Sequence, residues 1–312
     1  MKNYLITGAT GFIGLNILNK LKNKRKIKIF YTYRSQSLKL KNNNIIGVKV
    51  NFENLNDIKK LKNILEKIDI IIHCANLAHN DYPSKLIRKV NYLATINLVK
   101  LAKVYKVKKF IFLSTAKINM NYDKNINSEN DISRKIKKDV YTNIKYKTET
   151  NIKKILKSSK VDCLILRPAL VYGKNVQGNL KKLNVFIRLS KYLPLPLPLP
   201  FSSANEKKSF CSINNLINCI ENISVKKISS NTFIVCDDMY YSFRDLIIYL
   251  FKKQNKRIIL FPVKIFFFKI FFILANKQNL FNSIFSRMIL DNSKIKRKLK
   301  IKLHHNFYNL KY

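Results

Sequence analysis

Three of the six glycines, Gly8, Gly11 and Gly14, lie within one short turn near the amino end of the chain. An apolar run, Tyr4–Ile6, precedes them, and an amphipathic helical pattern that begins at Phe12 follows. In such a turn the first glycine permits a tight bend, the second lets the backbone approach a pyrophosphate, and the third lets the helix pack on the strand. The amino end of that helix attracts phosphate charge. The segment therefore predicts the first strand, turn and helix of a dinucleotide-binding unit.

Strand and helix patterns alternate along the first half of the chain, as a parallel, doubly wound α/β sheet of the Rossmann type requires. The predicted strands are Ile27–Tyr33, Ile45–Val50, Ile68–Cys74, Phe110–Ser114 and Val161–Leu166. The predicted helices are Phe12–Asn23, Leu55–Glu66, Ser84–Tyr105 and Val140–Lys157.

The alternation loosens after residue 168, which predicts two domains. Residues 1–168 would form the NAD(P)-binding Rossmann domain, and residues 169–312 most of a smaller α/β domain that binds substrate. Sheet-like patterns return at Ser209–Ile213 and Thr232–Cys236. We therefore expect strands near residues 209–236 to join the first domain, so that the two domains interleave.

The formal net charge of +44 raises the question of nucleic-acid binding. The lysines are spread along the whole chain and accompany abundant Asn and Ile, which indicates biased composition rather than a phosphate-binding face. We predict no nucleic-acid partner, although the positive field favours an anionic substrate. The five cysteines form no Cys-x-x-Cys pair, and the four histidines do not cluster with them, so we predict reduced thiols, no metal and a cytoplasmic location.

The longest apolar stretch, Phe261–Ala275, contains Pro262, Lys264 and Lys269. It is shorter than the roughly 20 residues that a spanning helix needs, and the first strand begins at once at the amino end, so we predict neither a transmembrane segment nor a signal peptide. A helix packed in the C-terminal core and a peripheral membrane contact both fit this lysine-flanked aromatic stretch.

The end of the second strand bears on cofactor choice, because an acidic residue there selects the free ribose hydroxyl of NAD. This strand ends in Tyr33, Arg34 and Ser35, with no acid. Arg34 and Ser35 suit a 2′-phosphate, which favours NADP over NAD. The alternative is that Arg34 is only a solvated charge at the strand end.

The spacing Tyr-x-x-x-Lys occurs three times, at Tyr105/Lys109, Tyr141/Lys145 and Tyr249/Lys253. The first pair runs into the fifth strand, and the third lies in the C-terminal half. The middle pair opens the helix after the fifth strand, and Glu149 extends its four-residue spacing along one helical face. We therefore single out Tyr141 and Lys145.

The run Thr-Gly-Ala-Thr-Gly-Phe-Ile-Gly at residues 7–14, read with Tyr141, Lys145 and Glu149, resembles the extended branch of the short-chain dehydrogenases/reductases, the NAD-dependent epimerase/dehydratase family. The resemblance implies that Tyr141 exchanges a proton with the substrate oxygen and that Thr115 hydrogen-bonds this oxygen. It also implies that Lys145 holds the nicotinamide ribose and lowers the pKa of Tyr141. Ser114 is the alternative to Thr115.

The same resemblance implies a set of cofactor-binding residues. Besides Tyr141 and Lys145, these are Gly8, Thr10, Gly11, Phe12, Ile13 and Gly14 in the first turn, Arg34, Asn51 and Phe52 near the adenosine, and Cys74, Ala75 and Asn91 after the fourth strand.

For the substrate, the resemblance points to Asn179 and Leu180 at the nucleotide and to Lys208 at the diphosphate, where the family usually has Arg. The alternatives are that Asn179 is an ordinary loop residue and that Lys208 is a solvated lysine. Ala116 and Lys117 stand where dehydratases of this branch carry Asp-Glu, which argues against a 4,6-dehydratase.

The resemblance implies an NAD(P)-dependent enzyme that acts at C4 of a UDP-hexose or UDP-N-acetylhexosamine in surface polysaccharide biosynthesis. The reaction would be that of a 4-ketoreductase or a 4-epimerase, and the enzyme would form a homodimer. The alternatives are a UDP-glucose 4-epimerase with tightly held NAD and a non-catalytic dinucleotide sensor.

Overall fold

The computed structural model describes residues 1–40, 42–78, 82–121, 124–134, 136–189 and 197–304. Its strands are β1 Lys2–Thr7, β2 Ile27–Tyr33, β3 Ile45–Lys49, β4 Ile70–His73, β5 Lys109–Leu113, β6 Asp162–Pro168, β7 Leu170–Tyr172, β8 Leu197–Leu199, β9 Lys208–Ser212, β10 Asn231–Val235, β11 Tyr240–Tyr241 and β12 Ile258–Leu260. Its helices are α1 Phe12–Leu21, α2 Leu55–Lys59, α3 Lys62–Leu65, α4 Ser84–Arg88, α5 Thr95–Val104, α6 Val140–Leu156, α7 Asn179–Leu189, α8 Ile213–Val225, α9 Phe243–Lys253, α10 Ile265–Leu274, α11 Gln278–Phe285 and α12 Ser293–Leu299.

Seven parallel strands form the large sheet in the order β3-β2-β1-β4-β5-β6-β10. The order reverses between β1 and β4, where Thr7 pairs with His73 at the carboxyl ends of the two strands. In open α/β sheets this reversal leaves a crevice in which ligands bind. The Rossmann-type sheet predicted from the sequence is therefore confirmed, and it places the glycine turn after β1 beside that crevice.

Helices cover both faces of the sheet because alternate residues of each buried strand point to opposite sides. In β5, Ile111 and Leu113 pack on the face covered by α1, α8 and α12. Phe110 and Phe112 pack on the opposite face, which α2, α3, α5 and α6 cover. Both faces of these strands are thus dry, and polar groups that act on a ligand must lie at the strand ends.

The helix predicted over Leu55–Glu66 is divided into α2 and α3. Between them, the amides of Lys60 and Leu61 donate to carbonyls three residues back, at Asp57 and Ile58. This is the 3₁₀ pattern, which tightens the turn and interrupts the α-helical ladder.

The later elements include two small sheets, β11-β9-β7 and β12-β8. Of the two sheet-like stretches near residues 209–236, the later one becomes β10 and joins the large sheet, whereas the earlier one becomes β9 and pairs with β7 and β11. Helices α10 and α11 pack together through aromatic side chains. No helix within the described part of the chain is long and apolar enough to cross a membrane.

Candidate active site

The glycine turn between β1 and α1 is shaped by close backbone contacts. Gly8 has φ +65°, and a Cβ there would lie 2.6 Å from the backbone nitrogen of Ala75. A Cβ at Gly14 would overlap the carbonyl oxygen of Gly8, because α1 packs directly on the turn. At Gly11 a Cβ would contact only the Gly8 oxygen, at 3.3 Å, so the turn is open on that side. Glycine is therefore needed at residues 8 and 14 for packing, whereas Gly11 has a single close neighbour.

A buried hydrogen-bond chain supports this turn from beneath. Thr7 Oγ1 lies 2.7 Å from His73 Nδ1, and His73 Nε2 lies 2.9 Å from Thr95 Oγ1. Burial lowers the pKa of His73 to about 3, with a smaller contribution from the charge of Lys145, so the imidazole is neutral at ordinary pH. The backbone amide of Ala75 donates to Thr7 Oγ1 at 3.3 Å. These contacts tie the ends of β1 and β4 to α5.

The end of β2 carries a cation that is already paired. Arg34 Nη1 donates to Glu53 Oε1 at 2.8 Å, and both side chains are partly exposed. Asn51 Oδ1 accepts from the backbone amide of Glu53, and Phe52 packs 5.7 Å from the His73 ring. Glu53 was not singled out from the sequence, because its partner lies on a different strand. The missing acid of β2 is thus partly replaced by a carboxylate that follows β3.

Tyr141 lies in the first turn of α6, which Asp139 caps by accepting from the backbone amides of Tyr141 and Thr142. The Tyr141 hydroxyl accepts from Asn76 Nδ2 at 3.2 Å. Burial raises the pKa of Tyr141 to about 12, the Asn76 hydrogen bond partly offsets this effect, and the charge of Asp139 adds to it. Asn76 is a site residue that sequence spacing did not indicate, because it follows β4 and belongs to no motif.

Lys145 lies one turn further along α6 and is buried. Its Nζ donates to the carbonyl oxygen of Leu113 at 2.8 Å and lies 4.5 Å from the centre of the Phe112 ring. Burial lowers the pKa of Lys145 to about 7, although the charge of Glu149 acts in the opposite direction. Burial is the largest influence on the pKa of Tyr141, and the Lys145 ammonium is hydrogen-bonded to the end of β5. The role of Lys145 toward Tyr141 and the nicotinamide ribose stays a prediction.

Ser114 and Thr115 follow β5 directly. Thr115 Oγ1 accepts from the backbone amide of Lys117 at 3.3 Å and caps a 3₁₀ helix, Ala116–Asn119. Ser114 Oγ is buried and has no hydrogen-bond partner within the described ranges. Lys117 Nζ lies 6.0 Å from the centre of the Tyr141 ring and 3.7 Å from Asp139 Oδ2. The segment after β5 therefore lies against the start of α6.

Glu149, the third residue of the helical face, is buried in an ion pair. Arg167 of β6 donates to both of its carboxylate oxygens, at 2.6 to 3.2 Å. Arg167 Nη1 also donates to Asn119 Oδ1 and to the backbone oxygen of Glu129. Glu149 therefore connects α6 to β6 and to the segment after β5, rather than facing the crevice.

Asn91 lies in the π-helical segment Lys89–Ala94, which joins α4 to α5 within the predicted helix Ser84–Tyr105. Its side chain accepts from the amide of Leu77 at 2.8 Å and donates to the carbonyl of Leu77 at 2.9 Å. Asn91 thus holds the segment that follows β4. Cys74 and Ala75 lie in this segment and are partly buried, and burial raises the pKa of the Cys74 thiol to about 12.

The predicted substrate residues lie further away. Lys208 of β9 is buried, and its Nζ donates to the carbonyl oxygens of Asn282 and Ser286 at the end of α11. Burial lowers the pKa of Lys208 to about 8. Asn179 is exposed at the start of α7, and Leu180 is buried in an apolar cluster with Tyr172. Their roles stay predictions.

Lys208 also forms an isolated β-bridge with Met288, and the exposed Arg287 precedes Met288 in the chain. No motif singles out Arg287, since it lies far from Lys208 along the chain. Among the described residues, no group of three or more His, Cys, Asp and Glu side chains could hold a metal ion.

The sequence profile of the NAD dependent epimerase/dehydratase family matches residues 4–223, which include the glycine turn, Thr115, Tyr141 and Lys145. The chain belongs to this family. The match to residues 4–223 also confirms the resemblance seen in the sequence, and β10 lies beyond its end.

Similar proteins agree with the family assignment. The UDP-glucose 4-epimerase of Vibrio cholerae is 29% identical over 313 residues, which cover 96% of this chain and 90% of the relative. The structure of the UDP-glucuronic acid 4-epimerase of Bacillus cereus with NAD has a TM-score of 0.76 at 19% identity, and 98% of this chain and 94% of that chain are covered. The UDP-glucose 4-epimerase of Thermotoga maritima with UDP-glucose has a TM-score of 0.74 at 20% identity, with 97% and 94% covered. At these identities the two structures establish the shared fold.

Proposed function

We propose that this epimerase/dehydratase family member is a UDP-sugar 4-epimerase, acting on a UDP-hexose or UDP-N-acetylhexosamine. The observation that carries the proposal is the buried pair Tyr141 and Lys145 on α6, beside the ends of β4 and β5 and next to the glycine turn. The nearly full-length similarity to a UDP-glucose 4-epimerase supports the choice of substrate and reaction.

The residues present fit a nicotinamide dinucleotide. The turn is open at Gly11, and α1 begins there with no acidic side chain in its first turn, which suits a pyrophosphate. Nearer to Tyr141, the buried atoms Ser114 Oγ and Asn76 Oδ1 have no hydrogen-bond partner within the described part of the chain. Gly8, Thr10, Gly11, Phe12, Ile13 and Gly14 would hold the pyrophosphate, Asn51 and Phe52 the adenosine, and Lys145 the nicotinamide ribose.

The nicotinamide supplies hydride transfer at C4 of the sugar. In this proposal Tyr141 exchanges the proton of the C4 hydroxyl, and Thr115 hydrogen-bonds the same oxygen. Tyr141 must ionise to take that proton, and Asn76 Nδ2, which donates to its oxygen, stabilises the ionised form. Lys117, above the ring, adds a positive charge nearby. Lys208 would bind the diphosphate, with Asn179 and Leu180 near the nucleotide.

A 4-ketoreductase is the second candidate, and the end of β2 is the observation that favours it. Arg34 and Ser35 suit the 2′-phosphate of NADP, which a reductase would exchange at each turnover. Glu53 acts against this choice, because its carboxylate pairs with Arg34 and would repel a phosphate. An exposed pair of this kind contributes only about 0–1 kcal/mol, so a phosphate could displace the carboxylate. Separate titrations with NAD and NADP distinguish the two cofactors.

We further propose that the segment after Thr115 excludes 4,6-dehydration, because it offers the small buried Ala116 and the cation Lys117 where an acid pair would be needed. We propose that the reaction takes place in the cytoplasm and supplies sugar nucleotides for surface polysaccharides.

We also propose a homodimer formed through α5 and α6, the helices that flank β5. Sedimentation equilibrium tests the dimer.

The central experiment has two arms. The purified protein is incubated with UDP-glucose or UDP-N-acetylglucosamine without added cofactor, and inversion at C4 is followed by NMR. In parallel it is incubated with a UDP-4-keto-6-deoxy-hexosamine and NADPH or NADH, and cofactor oxidation is followed by absorbance. We expect inversion in the first arm. Cofactor oxidation in the second arm alone would replace the epimerase with the reductase.

The variant Tyr141→Phe is expected to lower kcat by about 10² to 10⁴, the usual contribution of a positioned proton-transfer group. The matched control is Tyr105→Phe, because Tyr105 and Lys109 have the same spacing but lie at the start of β5, at the opposite end of that strand from Ser114 and Thr115. The control should retain activity within a few-fold. Dinucleotide binding without turnover in the wild type would instead favour the non-catalytic sensor.

A further inference from the structure

Helix α10 exposes far more apolar surface than the fold requires. Phe266, Phe267 and Phe271 are 64%, 59% and 63% exposed, and Leu274 is 79% exposed. Other large apolar side chains exposed on or beside this helix are Ile259, Phe261, Ile265, Ile270 and Ile273. Contiguous apolar surface of this extent mostly marks a binding face on a protein. We refer to these nine residues as the α10 face.

The α10 face is separate from the side of the helix that holds it to the protein. Phe272 is buried, and its ring lies 6.1 Å from that of Phe281 on α11. Phe268 packs 4.8 Å from Phe285 and stacks on Phe201 at 5.8 Å. These inward contacts anchor α10, whereas Phe266 and Phe267 contact each other within the helix and keep most of their surface exposed.

The charges around the α10 face are of one sign. Residues 246–290 contain eight Lys and Arg and no Asp or Glu. Lys264, Lys269 and Lys277 are exposed within or beside α10. A second copy of this face would bring like charges together, which opposes self-association. An anionic surface with an apolar interior is complementary to both features of the face.

We propose that the α10 face docks this protein onto an anionic lipid bilayer, with the phenylalanines in the headgroup region and the lysines on the lipid phosphates. Ten helical residues span about 15 Å, half of the hydrocarbon core, so the helix lies along the surface rather than across it. Attachment through aromatic residues plus basic residues is the usual pattern of interfacial helices. The proposed docking does not use the crevice at the strand ends.

The test is vesicle co-sedimentation of the full chain. We expect binding to phosphatidylcholine vesicles that contain phosphatidylglycerol, and at least about ten-fold weaker partitioning for the double variant Phe266→Ser/Phe271→Ser, which removes two aromatic anchors. Binding should also weaken in high salt and with phosphatidylcholine alone.

The matched control is Leu189→Ser/Val225→Ser, which changes two residues that are 60% and 58% exposed at the ends of α7 and α8. It should bind vesicles like the wild type, and both double variants should keep the wild-type circular dichroism and catalytic rate. Equal vesicle binding by the two double variants, or no binding by the wild type, would overturn the proposal. So would a lower oligomeric state of Phe266→Ser/Phe271→Ser in sedimentation equilibrium, because a second copy would then cover the face.

Discussion

Burial raises the pKa of Tyr141 and lowers that of Lys145, so that both side chains favour their neutral forms. The phenol is raised to about 12, and the ammonium is lowered to about 7. Both shifts arise because a dry site disfavours charge. The contacts that oppose them are specific: Asn76 donates to the phenol, and Glu149 favours the ammonium. At this scale the chemistry of α6 is therefore set by partners that belong to other elements.

His73 gives a prediction of pH dependence. Its pKa is about 3 in the folded protein and 6.5 when unperturbed, so unfolding takes up a proton below pH 6.5. Stability should therefore fall as pH decreases through 6.5, by at most about 1.4 kcal/mol per pH unit from this group. Denaturant unfolding on both sides of pH 6.5 should show a smaller dependence for His73→Gln than for the wild type. Identical pH dependence in the wild type and His73→Gln would contradict the assignment.

At the scale of elements, α6 organises the site because its residues four apart face the sheet. Tyr141 faces the end of β4 through Asn76, Lys145 faces the end of β5, and Glu149 faces β6 through Arg167. One helix thus aligns three strand ends. The spacing predicted this shared face, and the structure adds that its third residue is structural.

The ion pair of Glu149 and Arg167 should be costly to break from one side. Both side chains are almost fully buried, so Glu149→Gln leaves a guanidinium without its counter-charge. We expect the free energy of unfolding to fall by about 3–5 kcal/mol. The control Glu53→Gln removes one partner of an exposed pair with Arg34. It should change the free energy of unfolding by less than about 1 kcal/mol. Similar losses of stability in the two variants would show that the buried pair contributes no more to folding than the exposed one.

At the scale of the whole molecule, the large sheet is completed by segments from the far end of the sequence. β10 adds the strand beside β6, and α8 and α12 cover one face of the sheet together with α1. The apolar residues of that face, such as Ile111 and Leu164, are therefore buried only when the later segments are present. The predicted domain 1–168 contains six of the strands but not the cover for one side.

This arrangement predicts that a fragment of residues 1–206 does not form the native sheet. It retains β1 to β6 but lacks β10, α8 and α12, so the face around Ile111 is left in water. Thermal unfolding followed by circular dichroism should be cooperative for the full chain and broad for the fragment. Adding the separately produced fragment 207–312 should restore the transition. A cooperative transition of the first fragment alone would show that the sheet is stable without these segments.

The sequence by itself determined the local features: the glycine turn, the parallel Rossmann strands and the four-residue spacing of Tyr141, Lys145 and Glu149. These follow from backbone sterics and periodicity, which act over a few residues. Only the tertiary structure decided that Asn76 meets Tyr141, that Glu53 meets Arg34, and that β9 lies outside the large sheet that β10 joins. It also decided the direction of the pKa shifts and the exposure of α10, because burial depends on which distant segments pack together.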